Sequence, residues 1–101
     1  MPGYIVPRVY RIIEFCIYRY GSCSRCSTSY AQFEMFYRHN LRMNGHTAEV
    51  DLRKLRKEGY LESRKTSFGN VIFYPTAKLI KLCLEIGPEV YKSLRDRGLI
   101  Q

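Results

Sequence analysis

The sequence predicts an α+β fold that is mostly helical: three helices, a β-hairpin and C-terminal helices within one domain spanning residues 1–101. Three observations carry the expectation. Apolar residues recur at helical spacing in the first twenty residues and again over about 46–58. The period then changes after Gly59 to a short hairpin pattern. A second helical stretch follows from residue 76 to the end.

In the first helix, Pro7 to Tyr20, the residues Val9, Ile12, Ile13, Cys16, Ile17 and Tyr20 share one face. Pro7 suits the first turn, where its missing N–H costs nothing, and Gly21-Ser22 end the helix. SCSRCSTS (22–29) is small and polar and reads as a loop. Thr28 or Ser29 caps a second helix lined by Tyr30, Phe33, Tyr37 and Leu41, which fades near His39-Asn40. Asn44-Gly45 signals a turn, and Asn44 or Thr47 caps the third helix, about 46–58. Ala48, Leu52 and Leu55 face inward there, and Gly59 stops it.

Beyond Gly59, residues 60–64 and 71–74 suit two strands, with Gly69 and Asn70 in the TSFGN tip between them. Thr76 caps a fourth helix that buries Leu79, Ile80, Cys83 and Leu84. Gly87-Pro88 is expected to break it, and a final helix restarts over 88–97. Three helices followed by a hairpin is the layout of a winged helix-turn-helix.

Seventeen Lys and Arg against nine Asp and Glu leave a net charge of +8, which suits a polyanionic partner. No apolar run approaches the roughly 20 residues that cross a bilayer, and prolines and arginines interrupt the start, so no signal peptide is expected and the cytoplasm is the expected location. A helix fits the major groove of B-DNA, while an adjacent hairpin reaches the backbone or minor groove. Asn44, His46, Thr47, Glu49, Val50 and Arg53 are candidate base readers, with Lys54 and Lys57 beside them. Arg64, Lys65, Thr66, Ser67 and Asn70 are better placed for phosphates. Arg53, Lys54, Arg56, Lys57, Arg64 and Lys65 against Glu58 and Glu62 leave +4 on this surface. Glu49 and Asp51, near the start of the third helix, favour its dipole.

The segment VDLRKLRKEGYLESRKTSFGNVIFYPTAK (50–78) resembles the recognition-helix-to-wing region of archaeal and bacterial winged-helix transcriptional regulators. Leu52, Leu55, Gly59, Tyr60, Leu61, Gly69, Tyr74 and Thr76 carry the resemblance, which covers about thirty residues. It implies this fold and double-stranded DNA as partner. In size and in Tyr and Arg content the chain is also similar to small winged-helix proteins of archaeal viruses and plasmids, which would place it in a host cytoplasm. The segment between Tyr30 and Asn44 departs from the family in being longer and more aromatic.

Winged helices also serve as protein-interaction modules, and RNA is a further polyanion, so both stand as alternatives. Cys23 and Cys26 form a C-x-x-C open to free thiols, a disulfide or a metal. No second pair completes a zinc site, so no metal is expected, and a Cys23–Cys26 disulfide is a candidate. Cys16 and Cys83 sit on apolar helix faces as core residues. No nucleophile–base order, paired carboxylates or phosphate-cradling glycine loop appears, so neither an enzyme nor a cofactor is expected. A homodimer is expected through residues 76–101 and the first helix, using Tyr4, Val9, Ile13, Val90, Tyr91, Leu94, Leu99 and Ile100.

Overall fold

The structure is a computed structural model that describes residues 6–101. Its elements run α1 (Pro7–Tyr20), α2 (Tyr30–His39), α3 (Gly45–Lys57), β1 (Leu61–Lys65), β2 (Val71–Pro75) and α4 (Ala77–Asp96). α1 starts on Pro7 and ends at Gly21, whose φ of 74° is left-handed and whose N–H bonds the Ile17 carbonyl at 3.0 Å. Ser29 and Gln32 form a reciprocal capping box at the start of α2, satisfying two otherwise orphaned N–H groups. Leu41, expected on α2, lies beyond its end. The turn between α2 and α3 passes through Arg42 at φ 56°, and the Asn44 side chain caps α3.

The core forms where α1, α2 and α3 meet. Phe15 packs edge-on against Phe33 and Phe36 with centroids 5.3 and 5.4 Å apart, and Phe33 contacts Tyr37 at 4.7 Å. The aromatic surplus of the 30–44 segment is therefore core filling. β1 and β2 pair antiparallel from Leu61↔Pro75 to Lys65↔Val71. Thr28 adds a single bridge to β2, donating to the Phe73 carbonyl at 3.1 Å and accepting from its N–H at 2.8 Å. Thr28 thus anchors the hairpin while Ser29 does the capping.

α4 is one helix of 20 residues that runs through Gly87-Pro88 without the expected break. Pro88 lacks the N–H that would bond the Leu84 carbonyl. Both residues are exposed, so water can reach that carbonyl, while Leu79, Cys83, Ile86, Val90 and Leu94 hold the opposite face continuously in the core.

The cysteines pair across the fold as Cys16–Cys26 and Cys23–Cys83, not as Cys23–Cys26. Within the small loop Cys26 faces α1 and Cys23 faces α4, with Cα separations of 5.3 and 6.3 Å inside the range a disulfide spans.

Val9, Ile13, Val90 and Leu94 are at most 1% exposed in the protein's own core, so the final helix folds back on α1 and these four offer nothing to a partner. Leu99 and Ile100 are half-buried against the same core. Tyr91 stays 44% exposed, and Tyr4 lies outside the described residues. An ion pair between Arg97 and the buried Glu14 ties the end of α4 to α1.

Candidate nucleic-acid interface

α3 is amphipathic by sequence, and its rotation about its own axis is fixed by a polar contact. Ala48, Leu52 and Leu55 are fully buried. Beside them Asp51 turns inward, 5% exposed, and accepts hydrogen bonds from Arg11 of α1 at 2.8 Å and from the Tyr37 hydroxyl of α2. Asp51 therefore serves as the anchor between three helices and not, as expected, as a dipole partner; no acidic residue lies in the first turn of α3. Burial, reinforced by the hydrogen bond to Asp51, pushes the Tyr37 phenol well above its ordinary value. Burial opposes the Arg11 charge, but its bonds to Asp51 and Tyr37 outweigh that and raise its pKa.

The opposite arc of α3 faces solvent and carries His46, Glu49, Val50, Arg53, Lys54, Arg56 and Lys57. Lys54 and Lys57 are exposed and make no ion pair among the described residues. Arg53 is held by Glu49 one turn earlier, and the Glu49 carboxylate also lies 3.9 Å from His46 Nδ1. The middle of the arc is thus nearly charge-compensated, and the excess positive charge gathers toward the C-terminal turn. Asn44 is occupied as a cap, accepting from the His46 N–H at 2.8 Å. Thr47 and Val50 are half-buried.

The hairpin adjoins this arc directly. Arg56 Nη1 donates to Ser63 Oγ on β1 at 3.1 Å, and Lys78 Nζ donates to the Glu58 carbonyl at 2.9 Å while sitting over the Tyr60 ring. Arg8 pairs with Glu58 at 2.8 Å. These contacts fasten the end of α3 to β1, α4 and α1, so helix and hairpin form one surface. Along β1, Arg64 pairs with Glu62 at 2.9 Å and lies 5.2 Å from the centroid of the Tyr74 ring. Lys65, Thr66, Ser67 and Asn70 surround the exposed tip.

Phe68 and Lys78 also belong to this surface, although neither was expected there, while Arg56, already counted in its charge, adds the bond to Ser63. Phe68 lacked a signal, because an aromatic at a turn tip resembles one that folds inward.

Ile80, Leu84, Pro88 and Tyr91 form a strip along α4. With Ile17 and the Cys23–Cys83 disulfide this strip borders a cavity of about 340 Å³. Leu84 is 78% exposed. Among the described residues, no cluster of three or more His, Cys, Asp or Glu side chains is placed to hold a metal ion, and no helix is long and apolar enough to cross a membrane.

No protein-family model matches the sequence, and no curated protein does at a significant level. Among solved structures, a variant of Lactococcus lactis ZitR superposes with a TM-score of 0.64 at 13% identity, covering 97% of this chain. The chain covers 61% of the ZitR chain. At that identity the likeness establishes the fold alone, and the fold is a winged helix.

Proposed function

We propose that the chain is a DNA-binding transcriptional regulator that presents α3 to the major groove and lays the hairpin along the backbone or minor groove. One observation carries the reading: the cationic arc of α3 and the basic hairpin are joined directly through Arg56 and Ser63, which lets one rigid surface offer a helix to the groove and a hairpin to the backbone. Lys54, Lys57 and Lys65 are free of ion pairs among the described residues and suit phosphates. Arg53 is the base reader, and it exchanges Glu49 for a base edge on binding. The likeness to ZitR supports the scaffold for this role.

The active unit is a homodimer. Its interface is the α4 strip of half-buried Ile80 and exposed Leu84, Pro88 and Tyr91, with Leu99 and Ile100 at its margin, in place of the residues that the core absorbs. Two copies then set their recognition helices about 34 Å apart, one turn of DNA.

The test compares Arg53→Ala and Lys65→Ala on a selected duplex and on random duplex. Arg53→Ala weakens the selected duplex more, by about 5- to 150-fold for one lost base contact, while Lys65→Ala weakens both alike. Equal losses on both duplexes from Arg53→Ala remove its base-reading role.

A further inference from the structure

Phe68 stands apart from the other phenylalanines of the chain. Phe15, Phe33, Phe36 and Phe73 are at most 3% exposed, whereas Phe68 is 90% exposed. The hairpin tip does not need its side chain. The Thr66 N–H bonds the Asn70 carbonyl at 2.8 Å, the Gly69 N–H bonds the Thr66 carbonyl at 3.0 Å, and Thr66 Oγ1 accepts from the Asn70 N–H at 3.2 Å. Gly69 supplies the left-handed turn at φ 82°. The result is a closed, self-bonded loop that presents one unpartnered aromatic ring, with Lys65 and Arg64 at the end of the strand that enters the loop.

We propose that Phe68 is a wedge that enters between stacked base pairs from the minor groove while Lys65 holds a flanking phosphate. This deepens the DNA-binding reading and rests on it. The surroundings favour duplex DNA over other partners. A protein hot spot is ringed by further contacts that exclude water, and a membrane anchor needs an apolar face. Phe68 has instead Ser67, Thr66, Asn70 and cations as neighbours. An apolar side chain beside basic groups is how minor-groove wedges unstack a step and kink the duplex by about 20–90°.

The experiment uses the full chain with a 30-base-pair mixed-sequence duplex labelled at both ends, measuring affinity, salt dependence and end-to-end energy transfer. Wild type shortens the end-to-end distance. Phe68→Ala loses the bend and weakens binding with the salt slope unchanged, and Phe68→Trp retains both. Thermal melts of the variants match wild type, because the ring contributes nothing to the core. Wild-type affinity and bending in Phe68→Ala would overturn the wedge and leave DNA binding standing. Intact DNA binding with loss of self-association, or of adsorption to anionic vesicles, would assign Phe68 to a protein or membrane surface and overturn the wedge as well. A wild-type chain that binds no duplex would end both readings.

Discussion

Opening the two disulfides separately tests how the loop before α2 is held. Cys23–Cys83 closes a separation of 60 residues and Cys16–Cys26 one of 10. If a disulfide acts mainly on the unfolded chain, these lengths correspond to about 4.3 and about 2.7 kcal/mol at 25 °C. All four cysteines are at most 8% exposed, so replacing either pair by alanine removes similar buried volume, and loop length dominates the difference. The double variant Cys23→Ala/Cys83→Ala is therefore less stable than Cys16→Ala/Cys26→Ala by about 1.6 kcal/mol. Against a total stability of about 5–15 kcal/mol for such a domain, either loss is large. The assay is guanidinium unfolding under oxidising conditions, with the remaining disulfide verified by intact mass. Equal losses, or a larger loss from the short loop, would refute the entropic argument. The short link has a second consequence, since Cys26 lies two residues before Thr28 and its bridge to Phe73. The Cys16→Ala/Cys26→Ala variant should accordingly show faster amide exchange in β2 than the long-loop variant does.

Tyr37 makes stability fall at alkaline pH. Below about pH 10 both folded and unfolded chains keep its phenol proton; above it the unfolded chain releases a proton that the folded chain retains, so stability declines as pH rises. Tyr37→Phe should therefore be less stable at pH 7, by about 1–3 kcal/mol for the lost bond to Asp51. Above pH 10 its stability should fall less steeply than wild type, by up to about 1.4 kcal/mol per pH unit, in denaturant melts; parallel slopes would contradict the assignment. Leu84→Glu places charge in the α4 strip and should convert a dimer to a monomer by analytical ultracentrifugation, with the helical circular dichroism retained and the concentration dependence of the melting temperature lost. A monomeric wild type at high micromolar concentration, or a variant that stays dimeric, would remove this strip as the interface.

Local signals made the scaffold legible in the sequence. The 3.6-residue period, Pro7, Ser29, Asn44 and Gly59 mark α1 to α3 because each acts within a few residues, and the strand pattern around TSFGN marks the hairpin for the same reason. Long-range choices were hidden. The exchange of partners between Cys23 and Cys26 depends on α1 and α4 flanking one loop, with Cys83 sixty residues away. Continuity through Pro88 depends on a buried face that outweighs one lost hydrogen bond. The stripe of Val90 and Leu94 reads the same in sequence whether α1 or another copy covers it, and here α1 covers it. Of the candidate interface, the cations were visible as residue types. Their availability was not, because the Glu49–Arg53 and Glu62–Arg64 pairs form only once helix and strand set the spacing.

The central claim is that the joined surface of α3 and the hairpin binds duplex DNA through its phosphates. The direct measurement is the dependence of duplex affinity on salt, by fluorescence anisotropy between 50 and 200 mM. Lys54, Arg56, Lys57 and Lys65 neutralising four phosphates per protomer, eight per dimer, give a slope of about −7.2 in log K against log salt, or roughly a 10⁴-fold loss over that range. Changing Lys57 and Lys65 together to alanine should cut the slope by about half. A flat salt dependence, or a slope indifferent to those two lysines, would contradict the account.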